Sequence, residues 1–400
     1  MWDAIVYDPK LDLLYFGTDN GDPWNQGYRG KVGDNLFLTS IIAVRPDTGK
    51  YVWHYQVNPG DEWDYSAVQP IILADLQIGG RTRQVLMQAP KNGFFYVLDR
   101  RTGELLSAKN FVSVNWAKGI DPKTGRPIEN PEARYSQTGK PWVGVPGPMG
   151  GHSWNPMAYS PKTGLVYIPA NEAGFPYTED KAFKPQPIGE NLGLDLSGGG
   201  ATTDYAGQFA AYRADNGRKL WSFDAQAPIM AAPMTYEVGG TQYVAVMTCG
   251  GGAFGLSAGL PGLKSGHMRQ LCRVLVFTLG GQAKLPPLPA SLRPPLNPPP
   301  VTAPPEVAHQ GALLYGRYCG ICHGGEGVSA GVTPDLRYTP LIASDGFFDV
   351  VLGGALQSQG MVSFARVLTH DQAAAIRAYL IQRANDTKAA QAKGQDLSAG

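Results

Sequence analysis

Four hundred residues leave room for two or three domains, and a net charge of +1, from 34 basic and 33 acidic side chains, leaves no basic footprint for nucleic acid. Glycine (51) and proline (33) are abundant beside 19 Tyr and 8 Trp, which favours many short strands and turns over helical bundles. No apolar run is long enough to span a membrane, and Met1-Trp2-Asp3 lacks the charged start and apolar core of a secretory leader.

In chain order, five segments carry chemistry in their residue types. Trp2 opens the first, Trp2-Asp-Ala-Ile-Val-Tyr-Asp8, and offers a planar surface. Asn20, in Gly17-Thr-Asp-Asn20-Gly, offers an amide oxygen suited to a hard cation, or a residue for a left-handed turn. Pro59-Gly-Asp61-Glu-Trp63-Asp64-Tyr65 places the Asp64 carboxylate between two aromatics, where desolvation would keep it basic enough to accept a proton. Read without context, Asp64 is a turn carboxylate in an acidic loop. Ala89-Pro-Lys91-Asn92 supplies a cation able to stabilise developing negative charge, or an ordinary lysine at a strand end. Gly151-His152-Ser153-Trp154 adds a further ring, with His152 a structural turn residue.

A pattern also recurs. Ala43-Val-Arg-Pro-Asp47-Thr-Gly49-Lys-Tyr-Val-Trp53 matches Ala211-Tyr-Arg-Ala-Asp215-Asn-Gly217-Arg-Lys-Leu-Trp221, with weaker copies ending at Gly103 and Gly164. Each supplies a tight hairpin turn, and a Trp four residues past the glycine is placed to pack between neighbouring sheets. Repeated four-stranded units predict an all-β propeller, with about four units before residue 282. Four units of a larger ring would leave an open edge. Cys249 and Cys272 admit two readings, a disulfide or two buried free thiols on strands. Their separation carries no geometry, and free thiols are the expectation here.

Residues 283–305 are dense in proline and predict an extended, semi-rigid spacer. Beyond it, residues from Gly311 to Tyr318 show helical apolar spacing and lead into Cys319-Gly-Ile-Cys322-His323. That spacing is what covalent haem c attachment needs: two thiols for the vinyl groups and an adjacent imidazole as axial ligand. Met361 follows at a distance suited to the second axial ligand, a pairing that raises the iron potential. Thr369-His370-Asp371-Gln372 predicts a capping box, and Ala375, Ile376, Tyr379 and Leu380 one apolar stripe behind it. His370 reads as an exposed residue at the helix start. Two helices enclosing a haem resemble an all-α class I cytochrome c, over residues 306–386, and 387–400 form a small polar tail.

In order and spacing these segments resemble, almost end to end, the pyrroloquinoline quinone (PQQ) dependent alcohol dehydrogenases. More narrowly, they are similar to the soluble quinohaemoproteins with a C-terminal cytochrome. The resemblance implies that residues 1–282 are part of an eight-bladed propeller, with Asp64 as catalytic base and Ca²⁺ ligand, Asn20 as a second Ca²⁺ ligand, and Lys91 donating to the quinone. Trp2 and Trp154 would contact PQQ. The cofactors implied are PQQ, Ca²⁺ and haem c. The substrate would be a small alcohol, and electrons would pass to an external acceptor, a small copper protein or another cytochrome.

The chain departs from the pattern in places. The family's glutamate ligand and its adjacent cysteines are absent, Ser153 replaces an asparagine, and Ser66 stands where lanthanide-using relatives carry a carboxylate, so calcium is favoured. The expectation is a C-terminal portion that holds PQQ weakly by itself, with an export signal upstream and a periplasmic location. The competing reading is a non-catalytic electron-transfer cytochrome tethered to a partner-binding propeller portion.

Overall fold

The computed structural model describes residues 5–30, 33–197, 206–249, 271–287, 295–328 and 332–393; Trp2 lies outside them. The chain divides into two compact units. One comprises residues 1–179, 205–250 and 271–288, the other 180–204, 251–270 and 289–400.

The first unit is built from antiparallel meanders. β1 (Ile5–Asp8), β2 (Leu13–Gly17), β3 (Ser40–Val44) and β4 (Tyr51–Gln56) form the first sheet, in that order. β5 (Ile72–Ile78), β6 (Arg81–Gln88), β7 (Phe94–Asp99) and β8 (Leu105–Asn110) form the second. Two small ribbons follow, β9 (Ala117–Ile120) with β10 (Pro127–Glu129), and β11 (Trp142–Gly144) with β14 (Phe175–Tyr177). The third sheet is β12 (Ala158–Ser160), β13 (Leu165–Glu172), β15 (Ala206–Arg213) and β16 (Lys219–Asp224); the fourth is β17 (Met234–Val238), β18 (Thr241–Thr248) and β19 (Arg273–Thr278).

The repeated turn has one physical form. Gly49, Gly103, Gly164 and Gly217 all take a left-handed φ between 66° and 78°. Each donates its N–H to the carbonyl four residues back, on Arg45, Asp99, Ser160 and Arg213, at 2.8–2.9 Å. A side chain at these positions would be strained, which is why glycine closes every copy.

Neighbouring sheets pack face to face. Val85, Met87, Phe95 and Val97 of the second sheet share a core with Val166, Ile168 and Tyr212 of the third. Phe209 and Ala211 of the third share another with Val244, Val246 and Leu275 of the fourth. Trp53 fulfils its expected role: it lies 5.7 Å from the Tyr15 ring, and its Nε1 donates to Arg100 O at 3.3 Å, in the second sheet. Arg100 also pairs through Nε with Asp8 Oδ2 at 2.6 Å and through Nη1 with Asp75 Oδ1 at 3.1 Å, and its carbonyl accepts from Tyr15 Oη at 2.7 Å. Trp221 is more exposed but reaches Phe277 of the fourth sheet, with ring centroids 4.9 Å apart.

Cys249 and Cys272 are joined in a disulfide, which overturns the expectation of two free thiols. The cause is register. Thr248 of β18 pairs with Arg273 of β19, so the next residues along each strand face one another, with Cα atoms 4.3 Å apart. That proximity is a property of strand pairing and is invisible in the 23-residue separation.

The second unit is helical. Helix Pro305–Tyr318 runs into the turn Gly320–His323, and a shorter helix, Gly346–Val351, precedes the long C-terminal helix His370–Ala392. The two long helices pack through Gly311, where a Cβ would stand 1.9 Å from Ala375 O. Ala312, Tyr315, Cys319, Ile376, Tyr379 and Leu380 belong to one buried cluster, and Ala375 is buried beside them, so the expected stripe faces the core. The capping box forms as expected, with Gln372 N donating to Thr369 Oγ1 at 3.2 Å and Thr369 N to Gln372 Oε1 at 2.9 Å. His370 is exposed and stacks on Phe348 at 4.1 Å. Among the described residues no helix is long and apolar enough to cross a membrane.

Candidate functional site

The loop after β4 and the turn between β6 and β7 meet in the first unit. Asp64 holds a left-handed backbone at φ +65°, a conformation that a non-glycine residue keeps only when its surroundings hold it there. Lys91 is one such restraint: its Nζ donates to both Asp64 O (3.0 Å) and Asp64 Oδ2 (2.9 Å). The pair is largely shielded from water, the Lys91 side chain more so than that of Asp64.

Each partner is supported from behind. Gly151 N donates to Lys91 O at 2.9 Å, and a Cβ on Gly150 would stand 2.6 Å from Lys91 Cα, so only glycine allows that loop to lie so close. Asn92 carries a web of its own: Nδ2 donates to Asn58 Oδ1 and Tyr96 Oη (both 2.9 Å), and its carbonyl accepts from Trp116 Nε1 (2.9 Å). The rings flanking Asp64 are anchors in the core. Trp63 and Tyr65 are fully buried and pack with Trp116 at 5.4 and 5.7 Å. The Trp63 carbonyl accepts from Tyr177 Oη at 2.8 Å, and Tyr65 Oη donates to Pro146 O at 2.6 Å.

The deepest carboxyls of the loop are Asp61 and Glu62. Burial, then the nearby Asp64 charge, pushes Asp61 up to about 8; Arg29 and Arg134 oppose the shift. Its Oδ1 accepts from Tyr65 N at 3.3 Å, closing the loop around Asp64. Burial also raises Glu62, against Arg134 and the Ser136 hydroxyl that donates to it. Arg134 lies 4.6 Å over Trp63, donates to Pro59 O (2.8 Å) and Gly60 O, and pairs with Glu129 at 2.6 Å. Arg29 bridges Asp61 O to Trp24 O (2.5 Å) and Pro23 O. Neither arginine carries a motif, and sequence reasoning missed both; their role exists only because tertiary contacts bring these loops together.

Asn20 is half-buried in the loop after β2, and its Nδ2 donates weakly to Gly21 O at 3.4 Å. Its loop is sewn to the Asp64 loop two residues before it, where Ala67 N donates to Thr18 O at 3.0 Å and Gly17 lies against the Ala67 carbonyl. Asp64 and Lys91 are thus joined directly, and Asn20 is linked to them through backbone. Among the described residues no three His, Cys, Asp or Glu side chains gather as a metal cluster. Trp154 is 39% exposed, next to the buried Ser153. His152 is fully buried, its Nδ1 2.6 Å from Ala89 O; burial lowers it to about 4, so it stays neutral and structural as expected.

In the second unit Cys319 and Cys322 are free thiols on one helical turn, the first buried and the second exposed. Burial pushes the Cys319 thiol up to about 12, with Cys322 adding to the shift. His323 follows half-buried, its Nδ1 3.5 Å from Pro334 O, which leaves Nε2 for a metal. Burial lowers its basicity, and the Pro334 carbonyl opposes this. Thr333 Oγ1 donates to Cys322 O at 2.6 Å and fixes the segment after the motif. Met361 and Phe364 pack against the same apolar cluster as Cys319. Two free thiols, an imidazole and a thioether in this unit fit a covalently attached haem.

Residues 1–115 match the family described as glucose/ethanol/alcohol dehydrogenase, beta-propeller domain, and residues 306–380 match cytochrome C oxidase, cbb3-type, subunit III. The chain is 44% identical to the dehydrogenase subunit of alcohol dehydrogenase (quinone) of Acetobacter aceti, over 97% of this chain and 59% of that protein. It is 45% identical to quinohemoprotein alcohol dehydrogenase ADH IIB of Pseudomonas putida, over 96% and 62%. The solved structure of quinohemoprotein alcohol dehydrogenase ADHIIG of Pseudomonas putida superposes with a TM-score of 0.74 at 43% identity, over 96% of this chain and 64% of that one. The chain thus spans about three-fifths of the length of the curated relatives it matches.

Proposed function

From a chain that is a homologue of the quinohaemoprotein alcohol dehydrogenases, corresponding to a C-terminal portion with PQQ-type propeller sheets and a cytochrome c unit, we infer a role in alcohol oxidation coupled to haem reduction. The substrate would be a small alcohol, the product an aldehyde or ketone, and the final acceptor an external copper protein or cytochrome. A periplasmic location accompanies this reading, because haem c is attached outside the bacterial cytoplasm.

The observation that carries it is the shielded Asp64–Lys91 pair at 2.9 Å, held on a left-handed backbone. PQQ beside Ca²⁺ would supply a hydride acceptor, and haem c a one-electron acceptor. Asp64 and Asn20 would hold the calcium, Lys91 and Trp154 the quinone together with Trp2, and Cys319, Cys322, His323 and Met361 the haem. Asp64 takes the hydroxyl proton of the alcohol, and Lys91 keeps its carboxylate aimed through the bond to Oδ2. The Lys91 ammonium also stabilises negative charge that develops beside it, an interaction worth most where water is excluded. Burial pushes Asp61 up to about 8, which disfavours its charge beside that of Asp64.

The test is direct. Protein matured with haem c, supplied with PQQ, Ca²⁺ and ethanol, should develop the ferrous haem c spectrum. Haem that stays oxidised, in a protein shown to have bound PQQ, would refute the coupling.

A further inference from the structure

Residues 180–197 lie in sequence between β14 and β15, yet they belong to the helical unit. They form a braced loop. Gln186 N donates to Asn191 Oδ1, and Asn191 Nδ2 returns to Gln186 O, both at 2.8 Å, closing a ring with Gly189 and Glu190 between them. Asp180 N donates to Gly193 O at 3.2 Å, and Leu194 is buried.

This loop grips the end of helix Pro305–Tyr318, immediately before Cys319. Glu190 N donates to Arg317 O at 3.1 Å, filling a carbonyl that a helix end leaves open. The fit uses a glycine on each side. A Cβ on Gly189 (φ +101°) would stand 2.8 Å from Tyr318 Cε1, and a Cβ on Gly316 would stand 2.7 Å from Leu196 Cβ. Tyr318 carries the contact onward: its ring lies 6.2 Å from that of Phe364, three residues after Met361.

We propose that residues 186–196 buttress the haem-bearing helix, pressing Tyr318 against Phe364 and so steadying the loop that presents Met361 to the iron. Resting on the haem c reading above, the buttress is a positioning element that acts through Tyr318. The helical unit thus takes in an internal stretch of the chain that lies in sequence between two strands.

Three variants of the full chain, matured with haem c, test this. Glu190→Pro removes the N–H that Arg317 O accepts, Glu190→Ala keeps it, and Gly316→Leu expels Leu196. Loss of the backbone bond should speed hydrogen exchange at residues 361–364 roughly fivefold. The haem midpoint potential should fall in Glu190→Pro and Gly316→Leu as the thioether loosens, and further in Glu190→Pro than in Glu190→Ala, which keeps the N–H. Parent-like exchange and potential in both Glu190→Pro and Gly316→Leu overturn the buttress. A parent chain without covalent haem would refute the haem reading instead, and the exchange at 361–364 would then decide the buttress alone.

Discussion

At the scale of single residues, the chemistry gathers on one loop, and each carboxylate in it has a separate environment. Asp64 faces an ammonium, Asp61 is sealed in the core, and Glu62 accepts from a serine. Under the proposed role of Asp64 as base, Asp64→Asn keeps the shape and removes that base, so PQQ-dependent haem reduction should drop by roughly a hundred- to ten-thousandfold, with unchanged haem content. Stopped-flow absorbance of the haem against the parent checks this. Asp61 has the opposite linkage to a salt-bridged carboxylate. Its folded pKa, about 8, lies above the ordinary value, so between roughly pH 4 and 8 the folded state binds more protons than the unfolded one. Its contribution is full below that window and is lost as pH rises through it. Thermal melts of the parent should therefore show a declining Tm from pH 5 to 8, and Asp61→Asn should flatten that slope.

At the scale of elements, sheet packs on sheet, and helix on helix, through a few residues whose replacement is costly. Arg100 joins the first two sheets through Asp8, Asp75 and the ring donors of Tyr15 and Trp53. Arg100→Met would leave Asp8, 2% exposed, without its cation, and denaturant titration should show a loss of about 3–5 kcal/mol. Gly311 is the equivalent in the helical unit. Gly311→Ala puts a methyl group into the Ala375 backbone and should cost about 1–3 kcal/mol, seen as a lower melting temperature of the haem absorbance transition. Under the proposed ligation by Met361, Met361→Ala should leave the helices folded and lower the haem potential in a redox titration.

At the scale of the whole molecule, the sheet unit carries apolar residues on faces that its own described residues leave open. Met234, Tyr236, Val238, Met247, Val274 and Val276 are exposed on the fourth sheet, while Val244, Val246 and Leu275 are buried against the third. Strands apolar on both faces belong between two layers, and an open face of this kind binds hydrophobic dyes. Val274→Asp should lower the fluorescence of bound anilinonaphthalene sulfonate with little change in Tm. Sequence alone determined the elements whose information is local. The turn glycines, the capping box, the apolar stripe at Ala375–Leu380 and the haem-attachment spacing all follow from neighbours within a few positions, where backbone geometry is fixed by short-range sterics and hydrogen bonds. The Asp64–Lys91 pairing, the Arg29 and Arg134 bridges, the Cys249–Cys272 bond and the contact of Glu190 with Arg317 were decided by tertiary structure. Each depends on strand register or on loops from distant segments meeting, and the free energy of such contacts belongs to the packed chain and leaves no trace in the spacing of residues along it.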